Sequence, residues 1–478
     1  MQKRAQTIPL VKGRLLATLA TLACAGTVLW AAPGAAAAQT QAQILGNQHA
    51  SFTTAVKAAN VATLHKAWFV PTAGMVSGTP LVSGSSVYFA DWSGTVWRVS
   101  SATGRVVWKH RVEKPKSWPW HGLAGSPVIV GNRLVVASVE GNVYALSAST
   151  GSHLWTTRLK PSDPYAGSLS DLLAYNGLVY VGLSSVDEIL ATTPGFVADS
   201  CGAVIALKAS NGKVAWDTPT VAPPSSGAAV WSSFALDPTL DLLYCDTGNN
   251  YQGTPTGLSD ALLALDARTG ALAWSQQVTA NDVWLPGQAF GPDDDFGAGP
   301  QLFAATIAGQ PRTLVGAGQK SGTYWVFDRA TGAPVWHTQV AAGADGIRGE
   351  AAIAAGRLLC TSNDRWSDAT GDHYSTSTVA ALSLIDGSKL WSVAPAQSPM
   401  ATGAGFLSDD VYLTGDLKGL LRAYRARDGK VLWHAFTPGH AGLAASLLVS
   451  GRTLFAGISA TGSGVSRLRS GLVAYRLR

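Results

Sequence analysis

Four short stretches in the middle of this chain hold residue types that suit metal and ligand chemistry better than a structural repeat. SSVDE (184–188) puts two acids directly after the apolar run LVYVGL, and AAVWSSFALDP (228–238) is followed by LLYCDTGNN (242–250). GPDDDFGAGP (291–300) has three consecutive acids, and AGQKSG (317–322) sets a lone lysine before a further strand-like run. Glu, Asn and Asp side chains are hard oxygen donors, the set calcium takes at about 2.3–2.6 Å. The face of Trp231 offers a platform for a flat heteroaromatic ring, and Lys320 can hydrogen-bond a carbonyl beside it. An Asp oxygen near a metal can also act as a general base. Each residue has a plain structural reading as well. Acids cap loops or face solvent, Asn249 suits a turn, Lys320 suits a hairpin tip and Trp231 suits packing between sheets. Together they point to a metal and a flat ligand.

A repeat must position them. Eight tryptophans, Trp68, Trp108, Trp155, Trp216, Trp274, Trp336, Trp391 and Trp433, recur at intervals of 40, 47, 61, 58, 62, 55 and 42 residues. Seven of them close one phrase, as in GTVWRVSSATGRVVW (94–108), GAVIALKASNGKVAW (202–216) and GLLRAYRARDGKVLW (419–433). The phrase reads as an alternating strand, a tight turn at T-G, N-G or D-G, and a second strand ending in Trp. A period this regular outranks local propensity. A large aromatic at one fixed place is best used between stacked sheets, where it buries about 150–250 Å². Radial repetition of four-stranded sheets gives a β-propeller. The chain ends on half a phrase, GLVAYRLR (471–478), and VATLHKAWFV (61–70) supplies the missing Trp strand. The expected fold is all-β: an eight-bladed β-propeller of four-stranded antiparallel blades, closed by pairing of the N- and C-terminal strands. Long intervals between Trp108 and Trp391 place the insertions, and the candidate residues, on the middle blades.

The N terminus reads as an export signal. Lys3, Arg4, Lys12 and Arg14 precede an apolar stretch from Leu15 to Ala32 and then PGAAAAQ, which predicts a signal peptide over 1–38. Left uncleaved, the stretch is long enough to anchor the chain in a membrane. Thr21-Leu22-Ala23 before Cys24 is a poor lipoprotein signature. Residues 39–60 form a polar lead-in expected at the surface, and 61–478 the propeller. Removing the four basic residues of 1–38 takes the 35 Lys and Arg to 31, against 29 Asp and Glu. So small an excess, with no basic stripe, argues against a nucleic-acid partner. Cys201, Cys245 and Cys360 remain, and their number and spacing leave any disulfide pairing open. There is no CxxCH, hence no covalent c-type haem in this chain.

Phrases and loop residues together resemble the quinoprotein alcohol dehydrogenases that use pyrroloquinoline quinone (PQQ), polyvinyl-alcohol-dehydrogenase-like members above all. The resemblance spans essentially the whole chain after the signal peptide, although non-catalytic propellers such as the outer-membrane assembly scaffold share the Trp phrase. It implies that Glu188, Asn249 and Asp295 hold calcium, that Trp231 is the floor under the quinone, and that Lys320 contacts the quinone carbonyls. Asp295, in Asp-Phe-Gly, would be the catalytic base. Two features depart from the family pattern. Adjacent cysteines, the usual ceiling over the quinone, are missing, and KSWPWHGLAG (116–125) occupies their region. His121 stands where an Arg is expected, and Trp118 or Trp120 could supply an aromatic lid in place of the cysteines. Lanthanide-type relatives carry a further Asp two residues after the base; here that position is Gly297, which favours calcium.

The function implied is a secreted or periplasmic dehydrogenase. It would oxidise alcohol groups of a small molecule or hydroxylated polymer and pass electrons to a separate acceptor such as a cytochrome c. Two other readings use the same fold: a non-catalytic propeller serving as an envelope scaffold or assembly factor, and a binding module that holds a cofactor or metal without turnover.

Overall fold

The computed structural model describes residues 41–114, 121–286, 291–341, 346–368, 371–394, 403–460 and 469–478. They fall in the compact unit Ala35–Arg478. Eight four-stranded antiparallel sheets follow one another along the chain. Blade 1 is built from Leu81–Ser83, Ser86–Asp91, Thr95–Ser100 and Val106–Arg111. Blades 2 to 7 repeat that order over 128–158, 173–219, 235–277, 296–339, 352–393 and 406–436. Blade 8 takes Leu448–Ser450, Thr453–Ser459 and Gly471–Leu477 from the C-terminal end and Leu64–Pro71 from the N-terminal end. The closing pair is antiparallel, with Leu64 opposite Leu477 and Pro71 opposite Gly471. The ring is therefore shut by main-chain hydrogen bonds between the two ends of the propeller, as the split repeat phrase predicts.

The tryptophan repeat is an interlock between blades. Each repeat Trp sits on a fourth strand, one residue past a bulge, and its Nε1–H donates to a carbonyl of the following blade. The eight acceptors are Ser101, Ala148, Ala209, Ala267, Arg329, Leu384, Ala426 and Leu64, at 2.9–3.3 Å. The last of these bonds, from Trp433 to Leu64, joins blade 7 to the closing strand of blade 8. Seven indoles also cover the turn glycine of the next blade. A Cβ built on Gly104, Gly151, Gly212, Gly270, Gly332, Gly387 or Gly429 would lie 2.5–2.8 Å from the neighbouring Trp ring. All seven have φ between +70° and +75°. The glycine of the T-G, N-G and D-G turns thus meets two demands: a left-handed backbone and room for the indole. Between blades the packed faces are aliphatic. Tyr180, Val204 and Trp216 of blade 3, for example, meet Phe234, Leu236, Leu243 and Cys245 of blade 4 and its entry. Cys245 and Cys360 are buried, Cys201 is half-buried, and all three thiols are free.

Part of the polar lead-in, residues 45–51, is drawn into the ring, while Ile44, Phe52, Thr53, Lys57 and Ala59 stay exposed. Gly46 O accepts from Leu302 N, Gln48 O from Ile353 N and His49 O from Leu407 N, so the segment crosses the inner edges of blades 5, 6 and 7 in turn. Ala50–Ser51 then pairs parallel with Phe406–Ser408 as an added inner strand. Ala50, Ser51 and Val56 are fully buried. Its polar side chains are used inside the ring: Asn47 Nδ2 donates to Ser233 Oγ at 2.7 Å and to Pro300 O at 3.0 Å. First-strand edges facing a propeller axis offer unpaired backbone groups, and a polar segment satisfies them. Among the described residues no helix is long and apolar enough to cross a membrane. The apolar stretch 15–32 lies outside the described residues.

Candidate functional site

Antiparallel blades send two kinds of connection to one end of the ring: the loop into each first strand and the loop from second to third strand. On blades 3 to 5 those loops carry the acids, Asn, Trp and Lys singled out by sequence. They meet around a cavity of about 270 Å³ whose lining includes Glu188, Trp231, Asn249, Asp295, Lys320 and Arg348.

After the strand Leu178–Ser185 the chain makes one helical turn, Asp187–Leu190. The two acids of SSVDE part company there. Asp187 is buried and accepts from Ser200 N at 2.9 Å and Ser200 Oγ at 3.0 Å, which ties the start of the turn to the loop beyond it. Glu188 is half-buried and lines the cavity. Burial raises its carboxyl above the usual range, while Lys320 and Arg348 pull it down and the Tyr251 hydroxyl hydrogen-bonds it.

Asn249 follows the second strand of blade 4 and is almost wholly buried. Its Nδ2 donates to Asn250 O at 2.7 Å and to Trp284 O at 2.8 Å, which fixes the amide orientation. The other end, Oδ1, is buried and has no hydrogen-bond partner. A buried amide oxygen without a donor costs free energy of about 1–3 kcal/mol unless something at the site satisfies it. Gly248 beside it is closely approached by the site: a Cβ there would lie 3.0 Å from Asp295 Oδ2 and 3.4 Å from Trp231 Nε1, so those atoms would have to give way slightly.

Trp231 stands at the entry to blade 4, after Gly227 and Ala228, which both have positive φ. The two serines after it pin the turn. Ser232 Oγ donates to buried Asp246, and Ser233 Oγ donates to Glu350 Oε1 at 2.6 Å while accepting from Asn47. The indole Nε1–H donates to Asp295 Oδ2 at 3.1 Å. Asp295 Oδ1 lies 2.6 Å from Lys320 Nζ, and Asp293 Oδ1 lies 2.8 Å from the same nitrogen. All three charged residues are buried. Burial raises the Asp295 carboxyl, and the Lys320 ammonium opposes that rise. Burial alone would lower Lys320, but Asp295 and Asp293 outweigh it and hold the ammonium above its ordinary range. The lysine nitrogen lies 5.6 Å from the Trp231 ring centroid and 6.0 Å from that of Trp284. The middle acid, Asp294, has a different environment: its backbone N–H donates to Asp282 Oδ2 at 2.8 Å, and burial raises its carboxyl to about 6.

Five of the sequence-predicted residues, Glu188, Trp231, Asn249, Asp295 and Lys320, thus share one cavity. His121 does not line it. Trp118 and Trp120 lie outside the described residues. Tyr251, Trp284, Asp293 and Arg348 were not singled out by sequence. Asp293 was visible only as one of three adjacent acids, and Arg348 sits in an unremarkable GIRGE loop.

Two family profiles match this chain. One, described as glucose/ethanol/alcohol dehydrogenase β-propeller domain, covers 218–355 and so includes Trp231, Asn249, Asp295 and Lys320. The other, described as outer membrane protein assembly factor BamB, matches 20–242 and 93–282, more than half of the chain. The chain belongs to the PQQ-type β-propeller family. Curated relatives of this chain include dehydrogenases. A polyvinyl alcohol dehydrogenase of Sphingopyxis sp. (strain 113P3) is 27% identical over 84% of this chain and 67% of its own length. A second polyvinyl alcohol dehydrogenase, from a Pseudomonas, is 28% identical over 79% of this chain and 64% of its own. The chain therefore spans about two thirds of the length of these relatives. Among solved structures, the quinohemoprotein alcohol dehydrogenase of Comamonas testosteroni superposes with a TM-score of 0.75 at 18% identity, over 91% of this chain and 79% of that one. BamB from Moraxella catarrhalis gives a TM-score of 0.58 at 16% identity, over 86% and 99%. At such identities the structural matches speak for the fold alone.

Proposed function

We propose that this protein is a PQQ-dependent dehydrogenase that oxidises alcohol groups, with calcium as its metal and a separate electron acceptor. One observation carries the reading: two carboxylates, a donor-free amide oxygen, a lysine and an indole face converge on a single cavity. The donor set fits the metal. Glu188, Asn249 Oδ1 and Asp295 would hold calcium, an all-oxygen set of the kind a hard cation requires. Gly297 supports calcium over a larger oxygen set, since a Cβ there would lie 2.6 Å from Ile347 O and 3.1 Å from Arg348 Cα. A flat ring fits on Trp231, bounded by Lys320.

When bound, PQQ would accept the hydride of the alcohol carbon, and calcium would supply Lewis-acid polarisation. This chain's residues do the remainder. Asp295 takes the alcohol proton as general base, its ionised form favoured against burial by the ammonium 2.6 Å away. Trp231 orients that carboxylate through its Nε1–H and presents its ring to the cofactor. Lys320 keeps positive charge where negative charge develops on the acceptor. Primary or secondary alcohols, free or carried on a polymer, suit such a site, and the polyvinyl alcohol dehydrogenases among the relatives favour the polymer. Residues 1–38 would direct the chain to the periplasm or outside the cell, where a cytochrome c could take the electrons.

The BamB-type profile keeps one other reading in view, an envelope scaffold. A scaffold has no use for a buried oxygen without a donor beside a buried Lys–Asp pair. Gel filtration of protein mixed with PQQ and calcium separates the two. The dehydrogenase reading expects about one PQQ retained per chain, released by a calcium chelator. No retention at any calcium concentration would favour the scaffold.

A further inference from the structure

We infer that Glu350 is a positioning residue of this site: from the entry of blade 6 it clamps together the two segments that carry Trp231 and Asp295, and so sets where the base points. The inference rests on the quinoprotein reading and extends it to a residue outside the cavity lining. Trp231 and Asp295 stand at the entries of different blades and meet through the Nε1–H to Oδ2 bond at 3.1 Å. Each is fastened within its own blade: Gly248 N donates to Ala229 O at 2.9 Å, and Lys320 N donates to Asp295 O at 3.0 Å. Between the two blades, Phe296 N reaches Thr247 O only at 3.5 Å. The strand after Asp295 is irregular as well. Its pairing with Gln310–Gln319 shifts register between Phe296 and Ala298 and again between Ala298 and Gln301. Such bulges bend a strand and interrupt its ladder, so pairing alone does not hold Asp295 against Trp231.

Glu350 joins the two segments. Its Oε1 accepts from Ser233 Oγ at 2.6 Å, two residues past Trp231. Burial raises the carboxyl, while the Ser233 hydroxyl and the backbone N–H groups of Glu350 and Gly299 hydrogen-bond it and oppose the rise. Gly299 is four residues past Asp295 and lies directly on Ser233. A Cβ there would strike Ser233 Oγ and lie 2.7 Å from the Ser233 carbonyl oxygen, so a glycine lets the segments close. Asn47 reinforces the join, with Nδ2 donating to Ser233 Oγ at 2.7 Å and to Pro300 O at 3.0 Å. Glu350 Oε2 lies 3.9 Å from His49 Nε2. Burial lowers that imidazole to about 4 against the pull of Asp171, so at neutral pH it is uncharged and the clamp is one of hydrogen bonds. A misplacement of about 1 Å at a reacting group can cost about 10²-fold in rate, which is what such a clamp prevents.

Heteronuclear NMR of the indole N–H groups reads the clamp in cofactor-free protein, and turnover with PQQ and calcium reads its consequence. The Trp231 signal is assigned by its loss in Trp231→Phe. In Glu350→Ala it should move toward its position in Asp295→Asn, while the indoles of the eight repeat tryptophans, bonded to main-chain carbonyls, stay put. The same variant should lose about 10- to 100-fold in kcat with the alcohol KM within about threefold. In a Trp231→Phe background it should cost less than about threefold, since the bond it acts through is gone. Glu350→Gln, which still accepts from Ser233, should recover most of the kcat. Ser233→Ala should repeat the loss and carries the test if Glu350→Ala does not fold. An unmoved Trp231 signal overturns the inference, as do kcat losses that simply add in the double variant or a shift shared by the repeat indoles. A parent that is inactive with PQQ and calcium bound fails the quinoprotein reading instead, and the indole signal tells the two failures apart.

Discussion

Adding one methyl group at Gly270 weighs a single blade-to-blade contact. Gly270 has φ +75° in the turn between strands Ala261–Asp266 and Leu272–Gln277 of blade 4. A Cβ there would lie 2.5 Å from Trp216 Cε3 and 2.5 Å from Thr218 Oγ1, both on blade 3. Gly309 is the natural control: its φ is +77°, and an added Cβ meets nothing within 4 Å. Alanine in the left-handed region costs about 1–2 kcal/mol at either site. Overpacking against the indole adds about 1–3 kcal/mol at Gly270 alone. Gly270→Ala should therefore lose about 2–5 kcal/mol and Gly309→Ala about 1–2 kcal/mol, read from urea unfolding followed by circular dichroism. In a Trp216→Ala background the excess at Gly270 should shrink to the part owed to Thr218 Oγ1, since the ring it strikes is gone. Equal losses at the two glycines, or an excess undiminished without Trp216, would refute the interlock.

Two further predictions concern the cavity. Lys320 pulls the Asp295 carboxyl down against burial. In Lys320→Gln that pull is lost, Asp295 keeps its proton to higher pH, and the acid limb of the kcat/KM profile should move up by about 1–3 pH units; a limb that stays put would contradict the pairing. The acids of SSVDE should separate cleanly. Asp187→Ala strands the Ser200 N–H and hydroxyl and should cost about 1–3 kcal/mol of stability, whereas Glu188→Gln should leave stability close to the parent and abolish calcium-dependent PQQ retention. Identical effects of the two would show that they do not play different parts.

The ring was legible because its signals are local and repeated. A turn glycine and a Trp four residues later recur in seven phrases, and the half phrases at 61–70 and 471–478 told where the circle closes. The inner path of residues 45–51 of the lead-in was not legible, for the opposite reason. Polar composition usually marks a surface, but Asn47 and Gln48 spend their polarity on carbonyls inside the ring, at Pro300 and Leu302, which no local pattern encodes. The site divides the same way. Asn249 and Lys320 stand next to repeat strands, so their faces could be anticipated from register. Which acid of the pair 187–188 turns inward depends on Ser200, thirteen residues on. Arg348 reaches Trp231 across 117 residues of chain, and its loop has no composition that distinguishes it.

The central claim is that Asp295 is the base of an alcohol-oxidising site, and dye-linked turnover tests it most directly. Parent and Asp295→Asn are loaded with PQQ and calcium, cofactor content is measured, and reduction of an artificial acceptor is followed with primary, secondary and polymeric alcohols. The account predicts turnover by the parent and a loss of about 10²- to 10⁴-fold in Asp295→Asn at equal cofactor content. A loaded parent that oxidises none of these alcohols, or a loaded Asp295→Asn that matches the parent, would contradict it.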